Sequence, residues 1–143
     1  MTDTSSAVRT VAIEREFAHP PGKLWRALTQ PHLIAEWLMR NDFAPAVGHR
    51  FHLNGDWGGT LDCEVLEIEP ERRLSYTWNH AHADPAFDLQ SVVTFTLSPI
   101  ATGVRLLVEQ TGFRPEQKQA FGGAQWGWRN FLDKLDGLLA GDS

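Results

Sequence analysis

The last thirty residues of the chain contain one long amphipathic helix whose first half is interrupted by glycines. Apolar side chains recur there at three- and four-residue steps, which places them on one stripe that faces an apolar surface. The stripe consists of Phe121, Ala124, Trp128, Leu132, Leu135 and Leu139, with Phe131 and Leu138 at its edge. Gly122, Gly123 and Gly127 each cost about 1 kcal/mol of helix stability relative to alanine. Such a helix either lies where room is short or covers empty space.

Composition limits the chain to one domain and excludes several classes of partner. At 143 residues the chain suits a single core, so we expect one domain over residues 1–143 with flexible tails at about 1–7 and 141–143. A net charge of −5 without clustered Lys and Arg argues against nucleic-acid binding. No apolar run approaches the ~20 residues that span a bilayer, and the first ten residues lack the apolar segment of a signal peptide. We therefore expect a cytoplasmic protein without membrane insertion. Its single cysteine, Cys63, excludes an internal disulfide and is expected to be an inert core thiol.

The order of elements predicts an α+β fold. Alternating apolar residues indicate a strand over residues 8–17, and two short helices with early prolines follow it. Five further strands with tight connections form an antiparallel meander. In the second of these, the inward parity changes at Val65–Leu66, which predicts a β-bulge. The long helix is the only element that can cover the apolar face of the resulting six-stranded sheet. A curved sheet fits a straight helix poorly at one end, so we expect a cavity beneath the glycines.

Several separated segments resemble one protein family, and they occur in that family's order. They are FAHPPGKLWRALTQPHLIAEWL, GGTLDCEVLEIEPERRLSYTW, SVVTFTLSP and GWRNFLDKLDGLL, together with Val47-Gly48. On these segments the chain resembles a bacterial single-domain member of the activator of heat-shock protein 90 ATPase homologue family, within the START-like or Bet v 1-like (SRPBCC) superfamily. The resemblance implies a helix-grip fold, in which a curved sheet wraps around the C-terminal helix and leaves a hydrophobic cavity between them. Members of the superfamily bind lipids, sterols, polyketides and plant hormones, and some are cyclases or dehydratases.

Aromatic residues form the first candidate site. The strand and helix patterns place a set of rings toward the expected cavity. Taken singly, each ring is more typical of a core than of a ligand site, and this applies most to Trp128, at the middle of the helical stripe. As a set they indicate a pocket, because small-molecule pockets are lined mostly by aromatic and apolar side chains. The predicted ligand-binding set is Arg15, Trp37, Phe51, Tyr76, Trp78, Phe95, Phe121 and Trp128.

Polar and exposed residues form a second group of candidates. Arg15 lies on the apolar face of the first strand, where its guanidinium either binds a ligand carboxylate or phenolate or pairs with a protein carboxylate. His80 and His82 have metal-compatible spacing, but no third ligand is near in sequence, so we expect neither a metal ion nor a cofactor. A pH-responsive rim of the cavity is the alternative for these histidines. Trp57 and Trp126 are candidates for the rim or for an interface with another protein or a second copy.

Three functions remain open at this point. The first is binding of a small hydrophobic molecule, aromatic or lipid-like, in the cavity. The second follows from the resemblance: a co-chaperone module that stimulates a heat-shock protein 90 ATPase, although the chain corresponds only to the C-terminal domain of the eukaryotic co-chaperone. The third is a lyase or cyclase that uses the cavity. No nucleophile–base–acid pattern or phosphate-binding loop is visible, so no catalytic residue is assigned. Arg15, Tyr76 and His80 are the candidates if the cavity is catalytic.

Overall fold

The computed structural model describes residues 9–55, 59–81, 83–84 and 88–141. Seven strands and three helices follow one another along the described chain. They are β1 (Arg9–Phe17), α1 (Pro21–Thr29), α2 (Pro31–Trp37), β2 (Arg40–Asn41), β3 (Arg50–Asn54), β4 (Thr60–Glu69), β5 (Arg73–His80), β6 (Leu89–Ile100), β7 (Gly103–Phe113) and α3 (Lys118–Gly141). The predicted α+β order of a strand, two short helices, a meander and a long helix is confirmed.

All seven strands form one curved antiparallel sheet in the order β1-β7-β6-β5-β4-β3-β2. The first strand pairs with the last, and the meander extends from there to the far edge. Sequence patterning predicts six strands, and the seventh is the two-residue β2, which pairs with the end of β3. A segment of two residues has no alternation to detect, so its pairing depends on the neighbouring strand and cannot be read from its own pattern.

Two irregularities interrupt the regular pairing of the sheet, one in β4 and one in β7. The ladder between β4 and β5 shifts between Val65 and Glu67, which confirms the predicted bulge. The residue between them, Leu66, is exposed rather than inward as the parity had indicated, because it is the extra, unpaired residue of the bulge. In β7, Gly112 has φ +128°, and a Cβ built on it would lie 2.4 Å from a backbone oxygen of β6. Only glycine fits there, and the kink turns Phe113 inward.

Helix α3 lies on the apolar face of the sheet and is fixed at several points. Its second half packs into the core through Leu132, Leu135 and Leu139, all of them buried. Near its C-terminus, Nζ of Lys23 donates a 2.7 Å hydrogen bond to the carbonyl oxygen of Leu139, one of the carbonyls that a helix end leaves without an internal partner. A cation there also suits the helix dipole. Among the helices of the described residues, none is long and apolar enough to cross a membrane.

Candidate functional site

A cavity of about 670 Å³ lies between the sheet and the first half of α3. Its sheet side comes from β4 to β7, and its helix side comes from successive turns of α3. Several of the lining residues are only half-buried, so the cavity communicates with solvent along the helix. The lining residues are Met39, Leu61, Trp78, His80, Leu89, Gln110, Phe113, Ala120, Gly123, Ala124, Gly127, Trp128 and Phe131.

Small side chains on α3 leave this space open. Ala120, Gly123, Ala124 and Gly127 all face the cavity, and the residues of successive turns, 120 with 123 and 124, and 127 with 123 and 124, are three or four positions apart. A Cβ built on Gly123 or on Gly127 would meet no described atom within 4 Å. Of the two alternatives for this helix, close approach or empty space, the structure therefore supports empty space. A sequence of larger residues on this face would fill the cavity and raise the helix propensity at the same time.

The aromatic set divides into a packed core and a cavity wall. Trp37, Phe51, Tyr76 and Phe95 lie in the packed core rather than on the wall, and each is at most 4% exposed. Their rings contact one another edge-on or tilted, with centroid distances of 5.0 Å between Phe51 and Tyr76 and 5.7 Å between Tyr76 and Phe95. Alternation places these side chains on the correct face of the sheet but cannot tell how far along that face the helix begins to lift away.

Trp78 and Trp128 are the two members of the predicted set that line the cavity. Their ring centroids lie 5.2 Å apart, and Phe131 packs against Trp128 at 5.7 Å. Trp128 is thus both a core residue, 2% exposed, and part of the wall. Phe121 is half-buried and lies beyond the cavity, where its ring packs edge-on against Phe113 at 5.6 Å.

A hydrogen-bonded chain of buried polar groups runs along the floor of the cavity. Nε1–H of Trp128 donates to Oε1 of Gln110 at 2.7 Å, and Nε2 of Gln110 donates to Oγ of Ser91 at 3.0 Å. The hydroxyl of Ser91 donates in turn to the backbone carbonyl of Trp78 at 2.6 Å. Gln110 is 2% exposed and lines the cavity. Within the described residues, every buried polar side-chain atom has a hydrogen-bond partner.

Arg15 does not reach the cavity wall. Its Nη1 lies 2.7 Å from Oδ1 of Asp133, which joins β1 to the outer side of α3. The pairing with a protein carboxylate, rather than with a ligand, is therefore the arrangement in the structure. Tyr76 and Cys63 are also removed from the cavity chemistry. Burial raises the pKa of the Tyr76 phenol well above its usual value and that of the Cys63 thiol to about 12, so both groups are neutral at physiological pH.

Two of the four candidates for the rim or an interface, His80 and Trp126, lie within the described residues. His80 ends β5 and lines the cavity, whereas His82 and Trp57 lie outside the described residues. In the described part of the chain, no three His, Cys, Asp or Glu side chains come together as a metal site. Trp126 is 70% exposed and lies outside the apolar stripe of α3, which fits an interface better than the wall of the cavity.

A buried glutamine fixes the start of α3 beside the cavity. Nε2 of Gln117 donates a 2.7 Å hydrogen bond to the carbonyl oxygen of Asp88, which precedes β6, and its Oε1 accepts from the backbone N–H of Arg114. The neighbouring residues on both elements, Leu89 and Ala120, line the cavity. Gln117 therefore joins two of the elements that border the cavity opening.

Sequence reasoning missed several wall residues, and two of them left a signal. Gln110 continues the inward alternation of β7 after Val108, so it is a polar residue at an inward position of a strand. Phe113 follows a glycine inside a strand pattern, which indicates a bulge and a change of facing. The remaining missed residues, Met39, Leu61 and Leu89, have no distinguishing pattern, because they border the cavity only through the tertiary packing.

Comparisons with known proteins agree with this architecture. The sequence profile of one family, described as Activator of Hsp90 ATPase homolog 1-like protein, matches residues 18–140. No curated protein matches the chain. Among solved structures, protein MLL2253 from Mesorhizobium loti is 66% identical, with a TM-score of 0.92 over 94% of this chain and 99% of that one.

Two more distant structures share the fold. CalU16 from Micromonospora echinospora is 26% identical, with a TM-score of 0.78 over 95% of this chain and 77% of its own. Protein BH1534 from Bacillus halodurans is 24% identical, with a TM-score of 0.79 over 94% and 99% of the two chains, and supports the fold alone. With the family profile matching most of its length, the chain belongs to the Activator of Hsp90 ATPase homolog 1-like family, with the helix-grip fold.

Proposed function

We propose that the protein binds a small, largely apolar molecule, aromatic or lipid-like, in the cavity beneath α3. The observation that carries the proposal is the combination of volume and wall. About 670 Å³ falls within the range of about 300–1,000 Å³ that is typical of small-molecule sites, and the wall is mostly apolar with a few polar groups. Affinity would come from burial of ligand surface, at roughly 25 cal/mol per Å² of apolar area.

Tryptophan fluorescence tests this proposal directly, because Trp78 and Trp128 are part of the wall. Titration with a flavonoid, a fatty acid and a sterol is expected to give a saturable change in emission with at least one of the three classes. The Trp78→Phe variant should lose much of this change. Trp25→Phe is the matched control, since Trp25 is half-buried but lies outside the cavity wall. If no class gives saturation, or if the change survives in Trp78→Phe and disappears in Trp25→Phe, the proposal is wrong.

A second candidate is a protein-interaction module of the co-chaperone type. The observation that favours it is Trp126, a large apolar side chain that is 70% exposed on the outer face of α3. Exposed tryptophans are enriched among the residues that dominate interfaces. This candidate predicts that saturating protein raises the ATPase rate of a bacterial heat-shock protein 90 and that Trp126→Ala abolishes the increase. An unchanged rate with the unmodified chain would exclude it.

The lyase or cyclase hypothesis has less support from the site. Of its three candidate residues, His80 lines the cavity, whereas Arg15 is paired with Asp133 and Tyr76 lies in the packed core. The second polar group on the wall is the amide of Gln110, which does not exchange protons as an acid or base near neutral pH. Binding without chemistry is therefore the function that we propose.

A further inference from the structure

The buried amide of Gln110 has only one orientation that satisfies its neighbours. An indole N–H donates and cannot accept, so the atom of Gln110 that faces Nε1 of Trp128 at 2.7 Å must be the carbonyl oxygen. The NH2 group then points toward Ser91. The hydroxyl of Ser91 donates to the carbonyl of Trp78, which leaves its oxygen to accept from Gln110. The whole chain of hydrogen bonds thus has a fixed direction.

This direction leaves one N–H of the Gln110 amide without an acceptor among the described residues. A glutamine amide carries two N–H donors. Within the part of the chain that the structure describes, Oγ of Ser91 is the acceptor for one of them, and the other has no protein acceptor. The side chain is 2% exposed and lines the cavity. A buried donor without a partner costs about 1–3 kcal/mol, so a ligand atom that accepts its hydrogen bond gains relative to one that does not.

We infer that the cavity selects ligands that carry a hydrogen-bond acceptor without a matching donor, such as a ketone, ether or ester oxygen, at the position that faces Gln110. This inference rests on the proposed function and names the chemical class within it. The apolar body of the ligand lies against Trp78, Trp128 and Phe131, and its acceptor oxygen meets the free N–H of Gln110. Trp128 acts as a positioning residue, since it holds the amide in the orientation that presents the donor.

Three bicyclic probes of similar size separate the contributions. 1-Indanone carries an acceptor, indane carries neither donor nor acceptor, and indole carries a donor. Their dissociation constants are measured by titration of ¹⁵N-labelled protein, with the side-chain NH2 signals of Gln110 and the indole signal of Trp128 as local reporters. One neutral hydrogen bond corresponds to about 2- to 12-fold in affinity. We expect 1-indanone to bind tighter than indane by that factor, indole to bind no better than indane, and one Gln110 proton to shift with 1-indanone alone.

Variants of Gln110, Trp128 and His80 test which residue causes the preference for 1-indanone. In Gln110→Met the advantage of 1-indanone over indane should disappear while indane still binds. Trp128→Phe keeps a ring but removes the donor that orients the amide, so the preference for 1-indanone over indole should narrow, and this variant keeps the test available if Gln110→Met does not fold. His80→Phe removes the other polar group of the wall and should leave the preference intact.

The outcomes separate this inference from the function on which it rests. If none of the three probes shifts signals of the cavity residues at millimolar concentration, the proposed binding function fails, and the inference fails with it. If all three probes bind equally well, or if the preference survives in Gln110→Met and disappears in His80→Phe, the inference alone is overturned and the binding function stands.

Discussion

Gly127→Leu should stabilise the protein and at the same time block its cavity. Gly127 lies in the interior of α3, faces the cavity, and has no described atom within 4 Å of the position that a Cβ would occupy. A leucine there has room for its side chain only in the space that the ligand is proposed to occupy. In a filled core the same substitution would overpack the site and destabilise the fold by about 1–3 kcal/mol. The sign of the stability change therefore reports whether the space is empty.

The expected magnitudes follow from the helix and from the cavity. Removing a glycine from a helix interior gains about 0.5–1 kcal/mol. For 143 residues, an unfolding entropy of about 2.1 cal/mol/K per residue totals about 300 cal/mol/K, so Tm should rise by about 2–3 °C. A leucine side chain that displaces two or three ligand methylenes, at about 0.8 kcal/mol each, removes about 2 kcal/mol of binding free energy, or about 30-fold in Kd.

Thermal unfolding and fluorescence titration measure the two effects on the same samples. Gly137→Leu is the matched control, because Gly137 is an exposed glycine of α3 with open space around it and lies away from the cavity. It should raise Tm without changing ligand affinity. Its gain belongs at the lower end of the range, since it lies near the end of the helix. A fall in Tm for Gly127→Leu, or an unchanged Kd for the ligand that binds the parent protein, would refute the reasoning.

Three further predictions concern the frame around the site. Gly112→Ala should lower the free energy of unfolding by about 2 kcal/mol or more, the sum of typical costs for backbone strain and overpacking. The reason is that a Cβ at φ +128° would lie 2.4 Å from a backbone oxygen of β6. Denaturation midpoints measure the change, and a loss of less than about 0.5 kcal/mol, as for a surface substitution, would contradict the prediction. The hydrogen bond from the backbone N–H of His52 lowers the pKa of the Asp42 carboxyl from its usual value. The stability that this carboxylate contributes is therefore present above the unfolded pKa and is lost as pH falls through the lower folded pKa. The Tm difference between the parent and Asp42→Asn should therefore be constant near neutral pH and shrink as pH falls below the unfolded carboxyl pKa of about 4. A Tm difference of the same size in strong acid and at neutral pH would argue against the interaction. Burial raises the pKa of the Cys63 thiol to about 12. A thiol reagent at pH 8 should therefore label Cys63 only after denaturant is added. Rapid labelling of the native protein would show that β4 is not packed as described.

The fold was predictable because its determinants are periodic and local. The inward residues alternate along β5, β6 and the part of β7 that ends at Gln110, and the stripe of α3 recurs at helical steps, so both the sheet face and the helix face could be assigned. The bulge at Val65–Leu66 was visible as a change of parity, although the pattern could not show that Leu66 itself would point to solvent. Pairing of the two-residue β2 leaves no such trace.

The site was less predictable because a cavity is defined by what is absent. Facing can be read from sequence, but Phe95 and Trp78 share an inward face while one lies in the packed core and the other lines the cavity. The difference depends on how far α3 stands from the sheet at each turn, which results from the packing of the whole domain. The glycines indicated the correct end of the helix. Identifying Gln110 required the observation that a polar residue continues an inward alternation, together with the position of Trp128, whose indole N–H donates to it.

The hydrogen bond of Gln117 has a consequence for the kinetics of binding. It joins the start of α3 to the carbonyl of Asp88, next to residues that border the cavity opening. We expect that weakening this bond would let the helix start move away from the sheet more often, which would speed the entry and the exit of a ligand together and leave its Kd nearly unchanged. Substitutions in the wall would instead change Kd, mainly through the rate of dissociation. Gln117 and the wall would therefore allow exchange kinetics and affinity to be changed separately.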